Sequence, residues 1–234
     1  MPHTLAGSKT SFNFAFQSSF SMNDTKQQLE HLAEMRSLME RSSRFLSLSG
    51  LSGIWAGLCA LAGAAAVYMY LEVTPLNRRS LYYEIAMRTM KWGMSYKSVF
   101  VLIALIVLAT ALAGGIFFTT RKARRQGLNI WDATSRRLLW AVAVPLVAGG
   151  VFSLALLYWD LPGLVPPATL VFYGLALVHG SKFTLRDVEF LGLSEIALGL
   201  FGMFYLGSGL ELWAVGFGLL HIFYGAWMYW RYER

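Results

Sequence analysis

Few residues in this sequence are equipped for chemistry, and the best of them sits where a charge is expensive. The stretch "FLGLSEIALGLFGMFYLG" (190–207) is almost entirely apolar yet contains Glu195. A carboxyl group inside such a run is retained for a working site or for a bonded partner. His179, Lys182 and His221 are its candidate companions. Counting about 1.5 Å per residue from the inner end of each run puts Glu195 roughly 7 Å deep, His221 roughly 12 Å and His179 about 3 Å. Glu195 can then reach either histidine or Lys182, provided the last three helices are neighbours. Two uses follow: proton or substrate handling, or an interhelical hydrogen bond that serves only the fold. A bis-histidine haem fits badly, because axial ligands need similar depth and the two histidines differ by roughly 9 Å.

Other catalytic patterns are missing. The chain holds no HExxH, no GxxxxGK[ST], no GxSxG and one cysteine, Cys59, inside an apolar run. No catalytic residue, metal site or cofactor is therefore expected, and no disulfide can form within the chain.

The elements that must position these groups are apolar helices. Hydrophobic residues make up 56% of the chain and charged ones 14%, against about a quarter charged in ordinary soluble domains. Runs of roughly 18–22 apolar residues predict membrane spans. Six are expected, at 45–71, 98–119, 138–158, 163–181, 190–207 and 211–229, forming an all-α transmembrane bundle over 45–234. Gly53 and Gly57 form a GxxxG in the first span, a pattern that lets backbones approach closely within one chain or between copies. A homo-oligomer therefore stays open. Pro145, with Gly149 and Gly150 after it, is expected to kink the third span.

Charge placement orients the bundle. With the N-terminus inside, fifteen of the twenty Lys and Arg fall on the cytoplasmic side, so both termini are cytoplasmic by the positive-inside rule. Arg121, Lys122, Arg124, Arg125, Arg136 and Arg137 form a cytoplasmic basic loop. Such a loop suits anionic headgroups or a cytosolic protein partner, with no direct nucleic acid expected.

Two segments flank this pattern. Residues 1–21 lack the apolar core of a signal peptide and read as a disordered tail or an extension upstream of a native start at Met22. Residues 22–44 read as a cytoplasmic amphipathic helix, opened by Thr25 and Gln28 at capping-box spacing, with Leu29, Leu32, Met35 and Met39 on one stripe. The external segment 72–97 reads as an interfacial helix, its polar stripe made of Glu84, Arg88, Lys91 and Ser95.

The stretches "SSRFLSLSGLSGIWAG" (42–57), "TTRKARRQGLNIWDATSRRLL" (119–139), "PATLVFYGLAL" (167–177), "GLSEIALGL" (192–200) and "AVGFGLLHIFYGAWMYW" (214–230) resemble a family of small bacterial six-span inner-membrane proteins. The resemblance covers about residues 22–234 apart from the external segment. It implies a multi-pass protein of the bacterial inner membrane and brings no reaction, cofactor or catalytic residue with it. It also implies a genomic neighbour that is a winged-helix transcriptional regulator, which suits a membrane protein that signals to or tethers a cytosolic partner. The expected function is non-enzymatic: binding a cytosolic protein, such as that regulator, or anionic lipid through the cytoplasmic face. A small transporter or channel using Glu195 and His221 is the alternative. A lipid-modifying enzyme comes third, for want of polar residues gathered at one depth.

Overall fold

The computed structural model describes residues 31, 32, 35, 48–72, 90–91, 93–127 and 131–234. The chain divides into two compact units, Met1–Ser43 and Arg44–Arg234. In the first, His31, Leu32 and Met35 are helical and exposed. The remainder of the expected 22–44 helix and all of residues 1–21 lie outside the described residues.

The second unit is an all-helical bundle. Its helices are α1 (Gly50–Leu71), α2 (Tyr96–Arg125), α3 (Ala133–Tyr158), α4 (Val165–Ser181), α5 (Arg186–Phe204), a short α6 (Gly209–Trp213) and α7 (His221–Tyr232). A π-helical segment, Ala214–Leu220, joins α6 to α7, so these three run together as one last helix. Among the described residues, five helical stretches are long and apolar enough to cross a membrane: Gly50–Leu71, Tyr96–Arg125, Ala133–Tyr158, Pro162–Ser181 and Leu206–Tyr232. The remaining expected span, 190–207, corresponds to α5, which is long enough but carries Arg186, Asp187, Glu189 and Glu195. Asp187 and Glu189 suit the first turn, where the helix dipole favours negative charge.

Local chemistry explains the ends. Asp132 caps α3, its Oδ1 accepting from the Ser135 N–H and Oγ–H at 2.7 Å each. Those bonds, the hydroxyl's first, hold the Asp132 carboxyl below its ordinary range. Pro166 and Pro167 occupy the first turn of α4, where a missing N–H costs nothing. At about 1.5 Å per residue, α2 is about 45 Å long, well over the roughly 30 Å of a hydrocarbon core. Its last turn, Arg121–Arg125, can therefore stand at headgroup level, past the hydrocarbon core.

The expected interfacial helix in 72–97 is corrected at its end. Met90–Lys91 pairs antiparallel with Met94–Ser95, and Gly93 sits at φ +73° in the turn between them. A left-handed glycine favours a tight hairpin turn and interrupts a helix there. Residues 73–89 lie outside the described residues. Pro145 lies inside α3, which is helical on both sides of it.

The bundle has two halves. On one side α1 packs between α2 and the last helix; on the other α4 packs between α3 and α5, and the last helix joins the halves through α4 and α5. Small residues set the closest approaches. A Cβ on Gly57 would lie 2.6 Å from the Gly218 carbonyl oxygen, and one on Gly225 would lie 2.7 Å from that of Gly50. Gly174 and Gly192 meet in the same way between α4 and α5, at 2.6 and 2.8 Å from each other's carbonyls. Where surroundings are apolar, helix association relies on such backbone proximity more than on hydrophobic gain.

Candidate functional site

The seam between the halves holds a cluster of buried polar groups. Tyr173 comes from the middle of α4, Glu195 from α5, and Gly216 and His221 from the last helix. Tyr173 Oη lies 2.7 Å from His221 Nε2, and His221 Nδ1 lies 3.0 Å from the Gly216 carbonyl oxygen. A carbonyl only accepts, so Nδ1–H donates to Gly216 and Nε2 accepts from the tyrosine hydroxyl. Glu195 Oε1 is 3.3 Å from His221 Nδ1, but that N–H is directed at Gly216. Neither Glu195 oxygen accepts a hydrogen bond from a described residue.

Glu195 is fully buried and His221 is 4% exposed. Aromatic rings wall the site: Phe217 lies 4.8 Å from Tyr173 and 5.9 Å from His221, between centroids. Gly216 leaves room here, since a side chain on it would push aside the ends of Glu195 and Leu170. The π-helical segment immediately precedes His221, and such segments recur at functional sites.

The four residues expected as one cluster separate into two places. Glu195 and His221 meet; His179 and Lys182 do not join them. His179 Nδ1 donates instead to the Ala141 carbonyl oxygen at 3.0 Å, tying α4 to α3, and Lys182 is exposed at the C-cap of α4. Tyr173 and Gly216 were not singled out from the sequence, although "FYG" at 172–174 contains the tyrosine.

The basic loop is likewise revised. Arg121–Arg125 continue α2 as helix, and Lys122 is turned inward. Its Nζ donates to the Leu48 carbonyl oxygen at 2.7 Å and approaches Glu233 Oε1 at 3.4 Å. Glu233 also accepts from the Gly50 N–H at 2.5 Å and from Ser49 Oγ at 3.2 Å. One carboxylate thus caps α1, neutralises α2 and fixes the end of α7. Glu233→Ala should cost about 1–3 kcal/mol, by stranding a half-buried ammonium and an uncapped helix end; a melting curve in detergent checks this. The other cations of the predicted loop, Arg121, Arg124, Arg125, Arg136 and Arg137, are exposed and form no ion pair with a described residue. An open cleft of about 540 Å³ lies at this end, lined by Arg136, Arg137, Trp140, His179 and Phe183.

Among the described residues, no group of three or more His, Cys, Asp or Glu side chains is placed to hold a metal ion. Comparison with protein families, curated proteins and solved structures gives no match.

Proposed function

We propose that this chain is a non-enzymatic, multi-pass protein of the bacterial inner membrane whose basic end faces the cytoplasm and binds the anionic lipid of the inner leaflet. The observation that carries the reading is the set of five exposed arginines at one end, none neutralised by a described residue. Cations beside membrane spans mark the cytoplasmic side and attract anionic headgroups. On this reading α5 also crosses, as the fifth of six spans: its 19 residues reach about 28 Å, close to a hydrocarbon thickness. Both termini then lie on the cytoplasmic side. The resemblance to six-span inner-membrane proteins supports the same placement.

The test is the melting temperature of the full chain in nanodiscs of phosphatidylcholine with and without phosphatidylglycerol. The expected result is a higher value with phosphatidylglycerol, reduced by high salt and by replacing all five arginines with glutamine. Equal values in the two lipids would sink the reading and turn attention to a cytosolic protein partner, including a transcriptional regulator. A second reading, a small transporter or channel, is favoured by Glu195, whose buried carboxyl accepts no hydrogen bond from a described residue. Ion- or pH-driven flux in liposomes, lost in Glu195→Gln, would establish it.

A further inference from the structure

The cleft between the start of α3 and the end of α4 is separate from the buried Tyr173–His221–Glu195 seam. We infer that it is a binding site for one anionic phospholipid, its phosphate held by Arg136 and Arg137 and an acyl chain lying along α3. This rests on the proposed cytoplasmic, lipid-facing placement of that end.

Charge gives the first argument. Arg136 and Arg137 have no carboxylate partner among the described residues. Among the described residues no acidic side chain lines the cleft, and the nearest in sequence, Asp132, is occupied by Ser135. Guanidinium forks match phosphate oxygens in bidentate geometry. His179 spends Nδ1 on Ala141, which leaves Nε2 as its free nitrogen in the cleft wall.

Shape and depth give the second. The volume, about 540 Å³, fits a headgroup and glycerol, since small-molecule pockets run from about 300 to 1,000 Å³. Trp140 lies one helical turn past Arg136, and tryptophan favours the zone between headgroups and chains. Below it, Val144, Val147, Val151 and Leu154 continue the same stripe at three- and four-residue steps, each at least 60% exposed. A free phosphate gains nothing from that stripe, whereas a diacyl lipid covers it along its length. Cations at the head of an exposed apolar stripe therefore specify an amphiphile.

The experiment is native mass spectrometry of the detergent-solubilised full chain, titrated separately with phosphatidylglycerol, phosphatidylcholine and inorganic phosphate. Retention of one phosphatidylglycerol is expected, with phosphatidylcholine and phosphate held much more weakly. Arg136→Gln with Arg137→Gln should weaken that retention about tenfold or more, the loss of two charge-assisted hydrogen bonds. Lysine at both positions should restore part of it. Arg121→Gln with Arg124→Gln and Arg125→Gln removes lipid-facing charge outside the cleft and should weaken retention clearly less than the cleft double variant does. These positions are exposed, so unchanged melting curves confirm folding. Wild-type-like retention by the cleft double variant overturns the site; if the triple variant loses retention instead, the lipid-binding face survives without it. Equal retention of both lipids by the wild type overturns site and function together. Inorganic phosphate that displaces the lipid at similar concentration makes the cleft a small-anion site and also overturns the inference.

Discussion

Gly57→Leu should destabilise the bundle by about 3 kcal/mol or more, at the upper end of what overpacking costs. The first added carbon would meet the Gly218 carbonyl oxygen at 2.6 Å, Ile222 Cγ1 at 2.7 Å and the Ile222 nitrogen at 3.1 Å. Two of those obstacles are backbone and cannot rotate away, so the two helices must separate. Gly53→Ala should be milder, since its added carbon would stand 3.1 Å from Gly225 Cα and 3.3 Å from the His221 carbonyl oxygen. Gly150→Ala is the control: no atom lies within 4 Å of that position, and alanine should match or exceed glycine by up to about 1 kcal/mol on helix propensity. Melting in one detergent ranks the three. If Gly57→Leu melts like wild type, α1 does not pack on the last helix as described.

His221→Ala and Glu195→Gln should differ sharply although the two side chains touch. Removing the imidazole strands the Tyr173 hydroxyl and the Gly216 carbonyl in an apolar seam and leaves a cavity, at a cost of about 3–5 kcal/mol. Glu195→Gln removes no hydrogen bond that a described residue donates. The amide has the same shape without a charge to desolvate, so its effect should stay within about 1 kcal/mol or be stabilising. The check is the melting temperature of both variants across mildly acid to mildly alkaline buffers. A neutral Glu195→Gln says that the carboxyl is not kept for the fold and strengthens the transporter reading. If Glu195→Gln collapses the chain, the carboxyl is a structural group and that reading fails.

The apolar runs made the helices legible because length and hydropathy need no tertiary context. Azimuth was not legible. His179 lies six residues after Tyr173, which turns it about 120° around α4; Lys182, nine residues on, lies about 180° away. The residue facing the last helix is therefore Tyr173, while His179 faces α3 and Lys182 leaves the seam. A correct packing order of the six helices, which spacing alone does not supply, was the missing premise. Lys122 escaped for a related reason. Five of the six cations predicted for the basic loop are exposed, and nothing local marks the one that meets Glu233, 111 residues away. The hairpin at 90–95 was hidden because its polar stripe also suits a helix, and only Gly93 argued otherwise.

The packing of α1 against the last helix also dictates an order of construction. In synthesis α1 emerges before α2–α5, and the helix that covers its glycines emerges after them. Until then the α1 backbone groove at Gly50, Gly53 and Gly57 has no partner, and α2 can cover only another side of α1. A chain released before Leu206 would still contain α3, α4 and α5 as a packed trio, while α1 and α2 would form a detached pair. Quality control in the membrane would therefore meet a bare glycine groove in every unfinished copy and in none that is complete.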